Sequence, residues 1–587
     1  MENARIVAVL EEVADLLQLQ EANPFRVRAY RNAARVLSEE TTPLRKRVAS
    51  GEDLTKLPSI GREMAAHVEE LVETGELRLL DELGSEVPRS LVEVMALPGL
   101  GPKKAARLWK ELGVESVEDL AAAVQAGTVA GLSGFGRKTE LQLARAMTQH
   151  QRHRGRFKLV EADRMAAPLL EQLAVADGVR RVEIAGSFRR RRETVGDLDI
   201  LVVAPRSEAV MDCLVSYPEV SEVRLAGDTR ATVILEKGLQ VDLRVVPARS
   251  YGAALIYFTG SKPHNIKLRQ RALERGFHLS EYGLFEPEEE ASVSTGEERD
   301  AQGSGRFVSG MTEKAVYRAL GLPWIAPELR EDRGEMAAAA EKRLPRPIEL
   351  ADLRGDLQMH STWSDGKSSI EEMVTAAAAR GYEYIAMTDH SPYLGVVGGL
   401  DAKRLRLQWQ EIEAVEERHP EIRILRGQEV DILPDGSLDQ TDDAMAELDL
   451  VVAAVHSQYD LAPAEQTRRI LKALRHPAVH VLAHPTARKI NQRPGMDFDL
   501  DAILDCAFEE GVAVELNALP SRLDLRDTHA MRARELGVKI VISTDAHHVR
   551  DLDAMRYGID QARRAWLEPG DVLNTLPLSK LLENLRQ

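Results

Sequence analysis

Cysteine is almost absent from the sequence, and its scarcity limits the kinds of metal site that the protein can build. The 587 residues include two cysteines, Cys213 and Cys506, which lie far apart in the chain. This excludes a disulfide framework and a zinc site made of cysteine clusters. Any bound metal must therefore be held by histidine, aspartate and glutamate.

Long apolar runs are also missing. The sequence contains no run of about 18 apolar residues, the length that a membrane-spanning helix requires. Its first stretch, MENARIVAVLEEVADLL, carries acidic residues that are not typical of a signal peptide. We therefore expect a cytoplasmic protein without a membrane partner, and the chain length favours roughly three to five globular units.

The chain has no excess of positive charge, because its net charge is -17. Residues 1–350 hold 50 Lys and Arg against 54 Asp and Glu, a difference of -4, whereas residues 351–587 hold 27 against 40, a difference of -13. Ten of the 15 histidines follow residue 350. A nucleic-acid-binding surface is therefore expected as local patches in the first part, and the acidic, histidine-rich second part indicates cation binding.

A loose repeat occurs early in the chain, with LPSIG at 57–61, LPGLG at 97–101 and LSGFG at 132–136. Each copy predicts a helix, a short glycine turn and a second helix. A single copy is also compatible with an ordinary capped helical hairpin, but three copies with cations nearby favour binding to DNA phosphates. The residues predicted to contact DNA are Ile60, Gly61, Gly99, Gly101, Lys103, Lys104, Gly134, Gly136, Arg137 and Lys138.

Predicted β-structure begins near residue 180. The stretches RRVEIAGS, DLDILVV, ATVILEKG and LQVDLRVVP have the residue alternation of strands and predict one mixed sheet. Residues 326–347 combine prolines, charges and an alanine-rich stretch, which predicts a linker. From about residue 348, short apolar strands alternate with helices, a pattern typical of a parallel α/β barrel.

A pair of carboxylates lies on one predicted strand of the mixed sheet. Asp197 and Asp199 are two residues apart, so both side chains project from one face about 7 Å apart, and Asp242 lies on another strand. A bare Asp-x-Asp is commonly a solvated edge, but the Gly186–Ser187 turn and the arginines at 189–192 supply donors and positive charge for a triphosphate. Together these residues predict nucleotidyl transfer assisted by Mg²⁺.

Residues that can bind metals recur at the ends of the predicted barrel strands. A single histidine there is more often structural, but the C-terminal strand ends of such a barrel meet on the face that holds its chemistry. Histidine and carboxylate ligands without cysteine suit Mn²⁺, Zn²⁺ or Fe²⁺ and the hydrolysis of phosphate esters. The predicted ligands are His360, Asp365, His390, Glu429, His456, His484, Asp545 and His547.

Several motifs resemble family X DNA polymerases, the polymerase beta-like group. GSFRRRRETVGDLDILV, VDLRVV and YFTGSKPHNIKLRQRALERGF are similar to the palm and thumb of that family, and the similarity spans roughly residues 1–325. It implies that Asp197, Asp199 and Asp242 bind Mg²⁺ or Mn²⁺, with Asp242 as the general base. The residues that it implies for binding the nucleotide are Gly186, Ser187, Arg190, Tyr257, Phe258, Gly260, Asn265 and Arg269.

The remaining part, about 348–587, resembles a PHP (polymerase and histidinol phosphatase) domain, which is a distorted (β/α)7 barrel with a trinuclear metal centre. The order of the two parts is similar to that of bacterial family X polymerases. The resemblance implies a 3′-to-5′ exonuclease with a cluster of Mn²⁺ or Zn²⁺ ions. The first histidine of the family's His-x-His is Gln358 here, so we expect one ion to be held loosely, because an amide oxygen is a weaker ligand than imidazole.

Two further positions depart from the family pattern. His67 occupies the position of the lysine that forms a Schiff base in members with lyase activity, so classical lyase activity is not expected. Gln240 replaces an arginine two residues before the third aspartate. The loss of that positive charge predicts slower catalysis or a greater need for Mn²⁺.

The resemblance predicts a multidomain fold: an α-helical N-terminal region with helix-hairpin-helix elements, an α+β palm and thumb, and a C-terminal distorted (β/α)7 barrel. The expected segments are an N-terminal helical domain (1–85), a fingers-type helical domain (86–150), a palm (151–249), a thumb (250–325), a linker (326–347) and a PHP domain (348–587).

The leading hypothesis is a DNA polymerase that fills short gaps during DNA repair and carries a nuclease that trims 3′ ends. The expected partners are gapped or nicked DNA and dNTPs, and a monomer associated with the bacterial nucleoid is expected. Two alternatives stay open, namely a DNA-directed phosphoesterase whose polymerase part only binds, and a non-catalytic DNA-end-binding scaffold. Action on small molecules is disfavoured, because the hairpin repeats suit a long phosphate backbone.

Overall fold

The fold is given by a computed structural model. It describes residues 3–39, 44–57, 60–95, 97, 100–132, 134–137, 139–140, 143, 156–287, 305–393 and 397–585. Contacts between residues divide the chain into two units, Met1–Arg154 and Gly155–Gln587. In the described part, no helix is long and apolar enough to cross a membrane.

The first unit is helical, as predicted. Its helices are α1 (Asn3–Leu19), α2 (Pro24–Glu39), α3 (Leu44–Ala49), α4 (Arg62–Thr74), α5 (Arg78–Glu86), α6 (Leu91–Met95), α7 (Pro102–Leu112) and α8 (Val117–Gln125). They are amphipathic, and α1 buries Leu10, Val13 and Leu17 while exposing Glu11. The apolar faces of these helices form one shared core.

The second unit begins with a mixed sheet, which confirms the prediction from its strand motifs. Its strands are β1 (Phe157–Lys158), β2 (Arg181–Ile184), β3 (Thr194–Val195), β4 (Asp197–Val203), β5 (Val220–Ala226), β6 (Arg230–Leu235) and β7 (Gln240–Val245), and its helices are α9 (Leu159–Ala174), α10 (Gly186–Arg189) and α11 (Glu208–Val215). The main sheet has the order β2-β4-β7-β6-β5. β4 and β7 are parallel, and the other neighbours are antiparallel.

Alternation along β4 assigns its two faces. Leu198, Ile200 and Val202 are fully buried in a core that includes side chains of α9 and α11. Asp197 and Asp199 therefore project from the opposite face, because successive side chains of a strand point to opposite sides. The acidic face of the sheet is thus fixed by the burial of its apolar face.

A smaller helical and β-hairpin domain follows. It contains α12 (Tyr251–Thr259), α13 (Lys262–Glu274), β8 (His278–Ser280), β9 (Gly283–Glu286), β10 (Arg306–Ser309) and α14 (Glu313–Ala319). The three strands form an antiparallel sheet in the order β10-β9-β8.

The segment 326–347, expected to be a linker, is folded and packed in the structure. It contains the short helix α15 (Glu335–Ala340) and two fully buried charges, Arg330 and Glu335. Arg330 forms an ion pair with Glu313 at 2.8 Å, and Glu335 contacts His264 at 2.6 Å. Because each buried charge has a partner of opposite sign or a hydrogen-bonding ring, charges that suggest a solvated linker in the sequence are accommodated inside the fold.

The C-terminal part is a seven-stranded parallel sheet surrounded by helices. Its strands are β11 (Gly355–Met359), β12 (Tyr384–Met387), β13 (Arg423–Asp431), β14 (Leu450–Ala454), β15 (Val481–Leu482), β16 (Ala513–Asn517) and β17 (Ile540–Ser543). They are hydrogen-bonded in chain order, and a parallel bridge between Met359 and Ala546 links the first and last strands. The sheet is therefore a nearly closed barrel, as the strand and helix alternation predicts.

Helices cover the outside of this barrel. They are α16 (Ile370–Ala378), α17 (Ala402–Arg418), α18 (Asp442–Ala446), α19 (Pro463–Leu474), α20 (Leu500–Glu509), α21 (Asp527–Glu535), α22 (Met555–Arg564) and α23 (Leu578–Leu585). Ile385, Met387 and Ile424 pack outward into the core shared with the helices. Ala386 and Leu425, one position away, pack into a second core inside the barrel, so the strands are buried on both faces.

Candidate active sites

The barrel strands bring all eight predicted metal ligands to one end of the barrel. Each ligand lies at the C-terminal end of a strand or in the loop that follows it, and parallel strands place these ends on the same face. The ligands and the strands that they end or follow are His360 and Asp365 (β11), His390 (β12), Glu429 (β13), His456 (β14), His484 (β15), and Asp545 and His547 (β17).

Seven of these ligands form three overlapping sets whose ligand atoms lie within 4.8 Å of one another. The sets are His360 with Asp365, His390 and His547; His390 with Glu429 and His456; and His360 with Glu429 and Asp545. Glu429 is central, because the ring nitrogens of His360 and His456 each lie 3.3 Å from its carboxylate. His484 joins the cluster through its Nε2 atom, 2.9 Å from Glu429 Oε1.

The charges of the cluster are strongly perturbed by burial and by one another. Burial opposes ionisation of Glu429, but His390 and His456 outweigh it and hold the pKa of Glu429 well below its usual range. Burial also opposes the charge on His456, yet Glu429 and Asp431 raise the pKa of His456 to about 10. Without a metal, the proton on His456 balances part of the charge of the buried carboxylates.

The ligand set fits divalent metal ions. Both ring nitrogens of His360 and the Nδ1 atom of His390 are buried without a hydrogen-bond partner, a costly arrangement unless another group binds them. Their neighbours are carboxylates and imidazoles, the donors that Mn²⁺ and Zn²⁺ accept. The orphaned nitrogens and the three compact sets are therefore the features expected of a metal centre.

Gln358 is a buried residue of β11, two positions before the ligand His360. The pairing of β11 with β12 has a register shift between Asp356 and Met359, which interrupts the alternation of side chains beside Gln358. Gln358 is 1% exposed, and neither its amide oxygen nor its amide nitrogen has a hydrogen-bond partner. A buried amide without partners has free donor and acceptor atoms, and its oxygen is a weak metal ligand.

Sequence reasoning missed three side chains that hold the ligands in place. Asp431 Oδ1 lies 3.1 Å from His456 Nδ1, and a carboxylate there keeps the proton on Nδ1 and leaves Nε2 free for a metal. The Asn517 amide donates to Asp545 Oδ2 at 3.0 Å, and Glu515 accepts the backbone N–H of His484 at 2.6 Å. Polar residues spaced by two at the strand ends, as in EVD and ELN, are the signal that could have found them.

The second candidate site lies on the acidic face of the mixed sheet. In the parallel pairing of β4 with β7, Asp199 lies opposite Asp242 and Asp197 lies opposite Gln240. Burial, followed by repulsion from Asp197 and Asp242, raises the pKa of Asp199 to about 7. Burial and Asp242 also raise the pKa of Asp197. The three carboxylates thus repel one another, and a cation between them would relieve that repulsion.

Local contacts orient two members of this triad. Asp242 accepts hydrogen bonds from Thr232 Oγ1 at 2.6 Å and from Gln240 Nε2 at 2.7 Å. Gln240 therefore contacts the site as a neutral donor in place of a cation. Gly186 has φ +62° and a Cβ there would collide with the Asp199 carboxylate, so this position requires glycine.

The palm triad is less compact than the barrel cluster. Among the residues that the structure describes, every set of three or more histidine and carboxylate ligand atoms within 4.8 Å lies in the barrel.

Sequence comparisons agree with both sites. Family models match residues 1–77 (helix-hairpin-helix domain), 91–146 (SAM-like helix-hairpin-helix tandem), 254–331 (DNA polymerase beta thumb) and 356–518 (PHP domain). DNA polymerase/3'-5' exonuclease PolX of Bacillus subtilis is 40% identical over 580 residues, which cover 98% of this chain and 98% of that protein. The chain belongs to the family X DNA polymerases that carry a PHP domain.

Other relatives resemble parts of this family X polymerase. DNA polymerase lambda of Rattus norvegicus is 28% identical over 353 residues, which cover 56% of each chain. A probable phosphatase of Syntrophotalea carbinolica is 27% identical over 229 residues, which cover 37% of this chain and 90% of that protein. The predicted family and fold class are confirmed, and we call the mixed-sheet domain the palm, the domain after it the thumb and the barrel the PHP barrel.

Arg190, predicted to hold the triphosphate, is engaged within the family X polymerase itself. Its Nε atom lies 3.0 Å from Glu331, and its Nη1 atom donates to the carbonyl of Thr259 at 2.5 Å. Glu331 also pairs with Arg564 of α22 at 2.9 Å. Arg190 therefore belongs to an ion-pair network that joins palm, thumb and PHP barrel, and its contact with a nucleotide stays a prediction.

The other predicted nucleotide contacts surround the start of the thumb. Tyr257 and Phe258 pack edge to face with ring centroids 5.0 Å apart, and Tyr257 remains 38% exposed. Asn265 donates to the Tyr257 carbonyl at 2.7 Å, and Arg269 lies 5.9 Å from the Tyr257 ring centroid. These three contacts form one patch, whereas Ser187 and Gly260 lie at the ends of α10 and α12.

One backbone hydrogen bond recurs at the three glycine repeats of the first unit. Ile60, Leu100 and Phe135 are buried, and the backbone N–H of each donates to the carbonyl three residues earlier at 3.2, 3.0 and 2.9 Å. Gly61 and Gly101 are the N-caps of α4 and α7, where Lys103 and Lys104 lie in the first turn of α7. Gly99 and Lys138 lie outside the described residues. The sequence repeat thus has a recurring hydrogen bond in the structure, and its contacts with DNA stay a prediction.

His67 contacts an aromatic side chain in the first unit. Its Nδ1 atom lies 3.1 Å from the Tyr30 hydroxyl, and the two rings are stacked with centroids 5.9 Å apart. Burial and Glu63 raise the pKa of Tyr30 to about 12. Neither side chain is an amine, so neither supplies the nucleophile of a Schiff-base lyase.

Proposed function

We propose that this family X polymerase fills short gaps in DNA during repair and trims 3′ ends with its PHP barrel. The observation that carries the proposal is the presence of two separate acidic sites, one on the palm sheet and one at the mouth of the barrel. A 3′-to-5′ exonuclease is named for the Bacillus subtilis relative. The same chain would then be able to extend and shorten a primer, and its place of action would be the chromosomal DNA in the cytoplasm.

In the palm, we assign Asp197, Asp199 and Asp242 to Mg²⁺ or Mn²⁺. Such ions, when bound, supply charge stabilisation for phosphoryl transfer. Asp242 is the proposed acceptor of the proton from the primer 3′-hydroxyl, because Thr232 and Gln240 hold its carboxylate in a fixed orientation. Ser187 and Arg190 are proposed to bind the triphosphate. Release of Arg190 from Glu331 is then part of nucleotide binding.

Around the base pair, the patch of Tyr257, Asn265 and Arg269 is proposed to contact the sugar and the minor-groove side. Phe258 supports Tyr257 through their edge-to-face contact, and Gly260 ends the same helix. The turns of the first unit are proposed to bind the DNA backbone without sequence preference.

In the PHP barrel, we assign the eight predicted ligands to a cluster of Mn²⁺ or Zn²⁺ ions. Such a cluster, when bound, polarises phosphate esters for hydrolysis. Glu429 holds the centre of the cluster, and Asp431 orients His456 toward it. Gln358 leaves one position with a neutral amide in place of imidazole, so we expect metal binding that is impaired but present.

Two assays on the full chain test the two halves of the proposal. Template-directed incorporation of dNTPs on a gapped duplex is expected to be lost in Asp197→Ala and Asp242→Ala and retained in Asp228→Asn, which changes an exposed loop residue. Mn²⁺-dependent shortening of single-stranded DNA is expected to be lost in Glu429→Gln. Full incorporation in either palm variant would refute the polymerase assignment, and full shortening in Glu429→Gln would refute the nuclease assignment.

A further inference from the structure

Three cations stand together at the mouth of the PHP barrel beside the metal ligands. Arg522 lies in the loop after β16, while Lys489 and Arg493 lie in the loop after β15. The Arg522 Nε atom is 3.6 Å from Asp545 Oδ2, a separation longer than a hydrogen bond. Only 16% of the Arg522 side chain is exposed. A nearly buried guanidinium thus faces the metal cluster, where Asp545 is its carboxylate neighbour.

The other two cations differ from Arg522, because their contacts in the part of the chain that the structure describes are with groups other than carboxylates. Arg493 donates to the backbone carbonyl of Ala487 at 3.1 and 2.6 Å and stacks on Tyr459, 3.9 Å from the ring centroid. Within the described ranges, no carboxylate forms an ion pair with Lys489 or Arg493. Burial, then repulsion from Arg522 and Arg493, lowers the pKa of Lys489.

This arrangement is unusual for the domain in which it occurs. Residues 351–587 carry an excess of acidic over basic side chains, 40 against 27. Arg488, next to Lys489 in the chain, forms an ion pair with Glu193 at 2.7 Å. Cations crowded together repel one another, and this repulsion strains them further once divalent ions bind to the adjacent ligands. An anion placed between the cations and the metal centre removes that strain.

The chemistry and the position of these three cations indicate which kind of anion they bind. A planar guanidinium binds two oxygens of a phosphate group at once, and the neighbouring metal centre is built for phosphate esters. The loop that carries Lys489 also lies against the palm. The Asn491 amide donates to the carbonyl of Arg156 at 3.0 Å, and Ile490 and Leu523 pack into the palm core. The cations therefore lie on the side of the barrel mouth that adjoins the palm.

We propose that Arg522, Lys489 and Arg493 form a binding surface for phosphodiester groups at the 3′ end of a DNA strand. Arg522 binds the phosphate nearest the metal ligands. Lys489 and Arg493 contact the phosphates that precede it along the DNA strand. The surface thereby directs a strand arriving from the palm side into the barrel. This inference rests on the proposed nuclease function of the PHP barrel.

The test uses the full chain loaded with Mn²⁺ and a small phosphodiester, the p-nitrophenyl ester of thymidine 5′-monophosphate. This substrate is too short to report binding by the helical hairpins. Arg522→Gln is expected to raise its KM about 10- to 100-fold, because charge-assisted hydrogen bonds are lost. Arg522→Lys keeps the positive charge but loses the planar guanidinium group, so it is expected to give a smaller rise in KM. Arg468→Gln, which removes an exposed cation of α19, is the matched control and is expected to leave the KM unchanged.

A binding measurement separates this inference from the proposed function. Titration of the Mn²⁺-loaded protein with inorganic phosphate is expected to show weaker binding in Arg522→Gln and Lys489→Gln by a similar factor, with unchanged Mn²⁺ content and polymerase activity. If wild type binds phosphate through Arg522 but hydrolyses no ester, the proposed function fails and the phosphate site stands. An unchanged phosphate affinity in Arg522→Gln, or a loss of Mn²⁺ with no change in phosphate affinity or KM, would overturn the inference.

Discussion

The palm triad predicts that replacing one acid stabilises the metal-free protein. The change is Asp199→Asn, which removes a buried charge near Asp197 and Asp242 and keeps a similar side-chain shape. The pKa of Asp199 rises from its usual value of 3.8 to about 7. That difference corresponds to about 4 kcal/mol of unfolding free energy lost when the side chain ionises in the folded state.

The sign follows from the direction of the pKa change. Between pH 3.8 and about 7, the folded protein keeps a proton on Asp199 that the unfolded chain has lost, so stability falls as pH rises. The asparagine variant does not share this loss. Its advantage over wild type is therefore absent near pH 4, grows toward pH 7 and is constant above it.

The assay is chemical unfolding in EDTA at pH 4.5 and pH 8, followed by the same measurement with Mg²⁺. At pH 8 without metal, we expect the free energy of unfolding of Asp199→Asn to exceed that of wild type by roughly 2–4 kcal/mol. We expect Mg²⁺ to reduce this difference, because it binds to the folded wild type. Asp177→Asn, which changes an exposed residue of the same domain, is expected to alter stability by less than about 0.5 kcal/mol. Equal or lower stability of Asp199→Asn at pH 8 would refute the account of repelling carboxylates.

Three further predictions concern the barrel and the ion-pair network. Gln358→His is expected to raise the Mn²⁺ affinity of the barrel by about tenfold, which is equivalent to about 1.4 kcal/mol. If the metal content and the nuclease rate do not change, the Gln358 amide is either an adequate ligand or not a ligand at all. Mn²⁺ affinity is expected to rise between pH 6 and pH 8, by about tenfold per pH unit for each proton that the metal displaces. The reason is that His456 has a pKa of about 10 and must lose its proton to bind the metal. A calorimetric titration that finds no pH dependence would contradict this prediction. Glu331→Gln is expected to free Arg190 and to lower the KM for dNTPs by about 2- to 10-fold. An unchanged or higher KM in single-nucleotide incorporation would show that the Arg190–Glu331 ion pair does not compete with nucleotide binding.

Sequence reasoning predicted the barrel cluster well because local rules were sufficient. In a parallel barrel, any ligand at the C-terminal end of a strand lies on the same face as the others, so His390 and His484 could be placed together without knowing their contacts. Asp197 and Asp199 were predictable for a similar reason, since alternation along one strand sets their face.

Long-range partners could not be predicted in this way. The family resemblance implies that Arg190 binds the triphosphate, but it does not reveal the ion pair with Glu331, which is 141 positions away. The buried charges of segment 326–347 could not be predicted for the same reason, because the partner that neutralises Arg330 is Glu313 on another element. Composition describes such segments as polar, whereas only the fold shows which charges are buried in pairs.

The central claim is that one chain holds two separate active sites of opposite effect on a primer. The most direct measurement is a time course on a 5′-labelled primer opposite a one-nucleotide gap, with Mg²⁺ or Mn²⁺ and with or without dNTPs. We predict that wild type extends the primer with dNTPs and shortens it without them, that Asp242→Ala loses extension alone, and that Glu429→Gln loses shortening alone. Extension that persists in Asp242→Ala, or shortening that persists in Glu429→Gln, would contradict the account.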